Sequence, residues 1–151
     1  MRLDRLVGGR RAPLVLLAVP LLAALAIGCG ASGAPASRVS LVARDIAYEP
    51  ARLVATVGEP VEIAMQNVGA VDHDLNVDGI AVRDVEARDA TTGGHGHSGK
   101  LPALHVAAGP GKTATVRFVP TAAGTFEVWC SVPGHREAGM LAILEVREAR
   151  S

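Results

Sequence analysis

Short segments in which apolar and polar residues alternate recur through most of this chain of 151 residues. Residues 61–65 are the clearest, with Val61, Ile63 and Met65 on one face, and residues 112–119 repeat the pattern. A period of two is typical of half-buried strands, whereas an amphipathic helix would need a period near 3.6. Beyond residue 29 no segment sustains the helical period, so the sequence predicts an all-β fold.

Turn signals divide these segments into units of similar length. Strand patterns cover residues 39–46, 52–57, 61–65, 73–77, 112–119, 125–130 and 141–146, with 104–107 as an eighth candidate. This number and spacing favour a Greek-key β-sandwich of about seven to eight strands, for which roughly 110 residues suffice. Residues 79–111 are the least regular part, and we expect a long loop there.

The first 29 residues have the features of an export leader. Four arginines precede an apolar run over residues 14–27, which is too short for a comfortable membrane span. Cys29 ends a stretch that resembles the lipobox of bacterial lipoproteins, and an ordinary secretory signal is the alternative. We expect a leader over 1–29, a flexible tether over 30–38 and one domain over 39–151, exported to the periplasm or cell surface and anchored to the membrane by a lipid on Cys29.

Charge and cysteine content narrow the possible partners. Residues 29–151 contain 11 basic and 14 acidic residues, and a net charge of about −3 argues against a nucleic-acid partner. The chain has two cysteines, so lipidation of Cys29 would leave Cys130 without a disulfide partner. We expect a monomer in which the Cys130 thiol has a role other than forming a disulfide.

Cys130, His135 and Met140 form a C-x4-H-x4-M element between two predicted strands. Pro133-Gly134 predicts a tight turn that returns His135 toward Cys130. Thiolate and thioether are soft ligands that suit copper(I), and imidazole suits both oxidation states. A trigonal copper site with a weak axial thioether needs a second imidazole, and His73 at the start of a predicted strand is the candidate.

These residues make the chain resemble the cupredoxins, the blue (type 1) copper proteins that include plastocyanin. The matching segments are Asn67-Val68-Gly69 with His73, residues 124–130, Pro133-Gly134-His135 and Gly139-Met140, within a resemblance that covers about residues 39–147. It implies a cupredoxin-like sandwich that holds one copper ion. His73, Cys130 and His135 would be equatorial ligands, and Met140 would be the axial ligand.

One position departs from the usual cupredoxin pattern. Many members carry asparagine after the first histidine, where it ties the two ligand loops together, and this chain has Asp74. An aspartate can accept the same backbone N–H bonds. Its negative charge would lower the reduction potential of the site.

The resemblance implies a carrier of single electrons between protein redox partners outside the cytosol, with a partly exposed His135 as the electron port. Met140 would leave no open coordination position, which argues against an enzyme. The alternative is a module that stores or delivers copper, helped by His95 and His97 in the glycine-rich stretch 93–99, although a solvated loop also explains that stretch.

Other interpretations of the same residues are weaker. A thiol enzyme would need Cys130 and His135 oriented across a cleft, and both lie in one tight loop. A structural zinc site needs four strongly binding nitrogen, sulfur or oxygen ligands from Cys, His, Asp or Glu, and methionine binds zinc poorly. Met65 is a rival axial ligand, but its alternating position assigns it to the core. Trp129 should face away from Cys130 and serve in packing.

Overall fold

A computed structural model describes residues 36–90 and 102–150. They form ten strands: β1 (Ser37–Arg44), β2 (Ala47–Glu49), β3 (Arg52–Thr56), β4 (Val61–Asn67), β5 (His73–Val77), β6 (Val82–Arg88), β7 (Leu104–Ala108), β8 (Thr113–Pro120), β9 (Gly124–Trp129) and β10 (Leu141–Arg147). No helix is found among these residues. None of the described segments is therefore a helix of the length and apolarity needed to span a membrane.

The strands divide into two five-stranded sheets, with orders β2-β1-β4-β8-β6 and β3-β10-β9-β5-β7. The β1–β4 and β10–β3 pairs are parallel, and the other pairs are antiparallel. Alternate side chains of both sheets supply one apolar core, with Phe118 as its largest fully buried side chain. The predicted all-β sandwich is confirmed.

The alternation at β4 and β8 behaves as predicted. Val61, Ile63 and Met65 of β4 are almost completely buried. In the antiparallel register Ile63 lies opposite Val116 and Met65 opposite Ala114, so both strands direct the same face inward. Met65 is therefore a core residue, as its position in the pattern predicted.

The prediction of a long loop over residues 79–111 is wrong at β6, whereas the candidate strand within it over 104–107 is confirmed by β7. Strand β6 pairs antiparallel with β8, with a register shift between Arg83 and Glu86. Every one of its residues except the half-buried Val82 is exposed. A charged edge strand has no apolar face, so hydrophobic periodicity could not reveal it.

Two other boundaries differ from the sequence prediction. Residues 39–46 were expected to be one strand, but β1 ends at Arg44, a turn follows, and β2 returns antiparallel beside it. Ile46 in that turn has φ of 67°. β1 also begins at Ser37, within the segment expected to be a tether, because it pairs with β4 from that residue onward.

The pairing of β5 with β9 determines where the predicted ligands meet. Asn76 lies opposite Trp129 and Val77 opposite Val128 in an antiparallel register. The start of β5 therefore extends past the end of β9, alongside the loop that begins at Cys130. This register places His73 and the β9–β10 loop at the same end of the sandwich.

Candidate metal centre

His73 is held by the loop that precedes β5, and Asn67 organises that loop. The Asn67 Nδ2 group donates to the carbonyl oxygens of Val71 at 2.7 Å and Ala108 at 2.8 Å. Its Oδ1 accepts the backbone N–H of Gly69 at 2.8 Å. Asn67 is fully buried and so is His73. The side-chain amide of Asn67 therefore holds the chain on both sides of the turn that leads into His73.

We expect Asn67→Ala to destabilise the domain by about 2 kcal/mol, because three hydrogen-bonding groups lose their partner inside the fold. Chemical denaturation of the metal-free protein measures the loss. Gln66→Ala is the matched control, since this neighbouring side chain is exposed. Equal stability of the two variants would contradict the role given to Asn67.

The β9–β10 loop folds back on itself through successive turns. The backbone N–H of His135 donates to the carbonyl of Val132 at 3.0 Å, and that of Met140 donates to the carbonyl of His135 at 2.9 Å. Gly134 and Gly139 have φ of 86° and 98°, which glycine adopts without strain. Met140 ends the loop fully buried, immediately before β10.

Three of the four predicted ligands converge on one point. The Cys130 Sγ atom lies 3.9 Å from Nδ1 of His73 and 3.6 Å from Nδ1 of His135. The three donor atoms all lie within 4.8 Å of one another. His73 and Cys130 are buried, and His135 is half-buried. Met140, the fourth, is buried where the same loop ends.

These separations fit a metal ion. Imidazole nitrogen and thiolate sulfur bind a divalent ion such as zinc at about 2.0 and 2.3 Å, so at a trigonal angle they lie about 3.7 Å apart. The two measured sulfur–nitrogen distances lie on either side of that value. Two imidazoles and one thiolate, with a methionine as a weak axial ligand, are the donor set of a type 1 copper centre.

Asp74 joins the two segments that carry the ligands. Its Oδ1 accepts the backbone N–H of Ser131 at 2.6 Å, and its Oδ2 accepts the Ser131 hydroxyl. Asp74 is buried beside His73, and Ser131 follows Cys130 directly. The aspartate therefore makes the loop-to-loop bond that was expected of an asparagine.

Burial dominates the electrostatics of the site. It raises the pKa of the Cys130 thiol to about 11, although the backbone N–H groups of Asp74 and Val132 act in the opposite direction. Burial also lowers the pKa of His73, which a neighbouring carboxylate, Asp45, partly offsets. Without a metal the site therefore contains a neutral thiol and a neutral imidazole at pH 7. The thiol must lose its proton to bind a metal ion, whereas the imidazole can donate its lone pair directly.

Sequence reasoning missed two residues beside the ligands. Asp45, in the β1–β2 turn, places Oδ1 3.4 Å from Nε2 of His73. Tyr48 of β2 is buried and donates its hydroxyl to the carbonyl of Asp74. Burial, followed by the nearby Cys130 and Asp74, raises the pKa of Tyr48 far above its usual value. Both contacts cross from one strand pair to another, and no local pattern signals them.

The remaining candidates lie apart from the donor cluster. His95 and His97 fall outside the described residues. Nδ1 of His105 lies 3.0 Å from Oδ1 of Asn76. Trp129 is half-buried; its Nε1 donates to Asp78 at 3.1 Å, and the Arg136 guanidinium lies 4.6 Å from its ring centre. Its packing role therefore includes a cation–π contact at the edge of the ligand loop.

Together, the two-sheet sandwich and the cluster at its end define a cupredoxin fold with a type 1 donor set. Solved cupredoxins are similar in structure. The "blue" copper protein auracyanin A of Chloroflexus aurantiacus matches with a TM-score of 0.54 and 23% identity, over 74% of this chain and 99% of its own. The auracyanin of Roseiflexus castenholzii matches with a TM-score of 0.55 and 20% identity, over 76% of this chain and 98% of its own.

A larger enzyme contains the same fold. The multicopper oxidase of Campylobacter jejuni matches with a TM-score of 0.57 and 15% identity, over 78% of this chain and 31% of the oxidase. At these identities the likeness to solved structures shows the fold alone. The functional conclusions rest on the residues of the site.

Curated relatives are similar in sequence. The copper-resistant cuproprotein CopI of Rubrivivax gelatinosus is 31% identical over 100 residues, which are 66% of this chain and 59% of the relative. CopI of Vibrio cholerae serotype O1 is 29% identical over 133 residues, covering 80% of this chain and 72% of the relative. The chain thus spans little more than half the length of the first of these proteins. No protein-family model matches the chain.

Proposed function

We propose that this protein binds one copper ion through His73, Cys130, His135 and Met140 and carries single electrons between protein partners outside the cytosol. The observation that carries this proposal is the spacing of the Cys130 sulfur from two imidazole nitrogens, which matches a trigonal metal site. Bound copper would supply a one-electron couple. The protein would supply a donor set that suits both oxidation states.

Rigidity of the ligands supports electron transfer. His73 begins a strand, and Cys130 directly follows the strand paired with it. Asp74 bonds the two segments together, and Asn67 fixes the approach to His73. A site that changes little between copper(I) and copper(II) exchanges electrons quickly, because few atoms need to move. The half-buried His135 would bring the site close to a docked partner.

Copper storage or delivery is the second candidate. The relatives named as copper-resistant cuproproteins favour it, because resistance requires that copper be bound or removed. The burial of His73 and Cys130 opposes rapid delivery of copper but is compatible with storage. We rank electron transfer first because the hydrogen bonds of Asp74 and Asn67 hold the ligand segments rigidly, which electron exchange needs and storage does not.

We also propose how the protein is placed and used. The export leader would direct it to the periplasm or cell surface, and a lipid on Cys29 would hold it at a membrane. It would work as a monomer with redox protein partners. With Met140 as the fourth donor no coordination position remains for a substrate, so we propose a carrier and not an oxidase.

Loading the purified metal-free protein with copper(II) tests the proposal. We expect an intense blue colour, one copper per chain, a narrow copper hyperfine splitting in electron paramagnetic resonance, and reversible one-electron cycling. A variant without residues 93–99 should remain blue. A colourless copper complex would refute the type 1 site, and copper transfer to a chelator without redox cycling would favour storage.

Copper affinity should depend on pH through Cys130. Because burial raises the pKa of its thiol to about 11, binding at neutral pH must release the thiol proton. Raising the pH makes this release easier, so affinity should increase about tenfold per pH unit between about pH 7 and 9, above the ordinary imidazole range. Competition with a chelator of known pH dependence measures this slope. A pH-independent affinity would mean that the thiol is already ionised without metal.

A further inference from the structure

We propose that Asp45 is a positioning residue that holds the His73 ring in the tautomer needed for copper and lowers the reduction potential of the site. This proposal rests on the proposed copper function. Asp45 lies in the turn after β1, 28 residues before His73, and its Oδ1 lies 3.4 Å from Nε2 of the buried ring. The opposite ring nitrogen, Nδ1, faces the Cys130 sulfur.

The surrounding chain is built around this contact. Oδ1 of Asp45 also accepts the backbone N–H of Ala70 at 3.0 Å, so the carboxylate is fixed by the loop that delivers His73. The backbone N–H of Val68 donates to the carbonyl of Ala43 at 2.9 Å and holds that loop against β1. A Cβ at Gly69 would lie 2.4 Å from Oδ1 and 2.8 Å from Nε2 of His73. Only glycine leaves the carboxylate and the ring this close.

The contact decides which nitrogen carries the proton. A neutral imidazole has one N–H and one lone pair. A carboxylate can only accept, so Asp45 selects the tautomer with hydrogen on Nε2 and leaves the Nδ1 lone pair directed at the metal position. A cation at Nδ1 would make the Nε2–H a stronger donor and strengthen the bond. Carboxylate–histidine–metal arrangements raise the basicity of the ligand in this way.

The same contact favours the more highly charged metal ion. Copper(II) places more positive charge on the ring than copper(I) does, so the negative carboxylate stabilises the oxidised state more. The Asp45 side chain is 57% exposed although its partner is buried. Substitution at position 45 therefore leaves the core packing intact, and the variants should fold.

Three variants separate hydrogen bonding from charge. Asp45→Asn keeps an oxygen acceptor and loses the charge, whereas Asp45→Ala loses both. Glu49→Gln is the matched control, because Glu49 has the same charge and 58% exposure but pairs with Arg44. Two measurements apply to each: the His73 tautomer by nitrogen-15 NMR of the metal-free protein at about pH 8, and the reduction potential with copper bound.

We expect Asp45→Asn to keep the Nε2–H tautomer and Asp45→Ala to populate both tautomers. The ratio of copper(II) to copper(I) affinity should fall about tenfold in both variants, an upward shift of about 59 mV for one electron. Glu49→Gln should change neither quantity. Retention of the Nε2–H tautomer in Asp45→Ala, or potentials equal to that of Glu49→Gln, would overturn the proposal. The tautomer is measured without copper, so failure of the copper function alone would leave that result unchanged.

Discussion

Replacing Cys130 with serine should abolish the blue colour of the copper-loaded protein and leave the sandwich folded. The colour of a type 1 centre depends on the copper–thiolate bond, and a serine hydroxyl provides no comparable donor. Copper affinity should also fall, by more than the roughly 10–100-fold that follows loss of a residue supporting a ligand. The measurements are the visible spectrum and a copper titration of the variant.

The metal-free Cys130→Ser variant should remain folded. Cys130 is fully buried, so exchanging its thiol for a more strongly hydrated hydroxyl should cost at most about 1–3 kcal/mol, and the nearby imidazole nitrogens of His73 and His135 offset part of that cost. The side chains are nearly the same size, so no large cavity forms. Circular dichroism and thermal unfolding of both metal-free proteins separate loss of ligand from loss of fold.

Cys29→Ser is the matched control, because the chain has two cysteines. This variant should retain the full blue colour and copper stoichiometry, since position 29 lies before the first described strand. A blue Cys130→Ser protein would refute the proposed site. A colourless Cys29→Ser protein would mean that Cys29, and not Cys130, supplies the thiolate.

The sequence predicted the strands that have an apolar face. β4 and β8 alternate over most of their length because one side of each contacts the core, and that constraint is visible in the residues themselves. β6 has no such constraint, since it is an exposed edge held by backbone hydrogen bonds to β8. Backbone pairing leaves no residue-type signal, so β6 was predicted to be loop.

The candidate ligands were visible in the sequence to different degrees. Cys130, His135 and Met140 lie in one short loop, where spacing alone brings donors together. His73 is 57 residues earlier, and it was associated with them because a trigonal copper site needs a second imidazole and His73 begins a predicted strand. Asp45 could not be predicted, because its contact with His73 depends on how the β1–β2 turn packs against another loop. Residues that support ligands across elements require the structure.

Asp74 should affect both stability and reduction potential, and two substitutions separate the effects. Asp74→Ala removes both bonds to Ser131 and leaves a backbone N–H beside Cys130 without its partner. We expect a loss of about 2–3 kcal/mol in the free energy of unfolding, because two hydrogen bonds to the buried Asp74 carboxylate are lost, although the exposed Ser131 can turn to water. Urea denaturation of the metal-free protein measures it.

Asp74→Asn should preserve stability and raise the reduction potential. An asparagine oxygen can still accept the Ser131 N–H, and its amide can donate to the Ser131 hydroxyl. The buried negative charge is removed, however, and that charge favours copper(II) over copper(I). We expect an increase of roughly 60 mV, which corresponds to a tenfold change in relative affinity for one electron. Voltammetry of the two copper proteins measures the difference.

Ser131→Ala is the control for the hydroxyl bond, since it leaves the backbone N–H bond to Asp74 in place. It should change the reduction potential little, because no charge is removed. If Asp74→Asn lowered the potential, the carboxylate would not be acting as a negative charge on the copper site. If Asp74→Ala were as stable as the unmodified protein, the bond between the ligand segments would not support the fold.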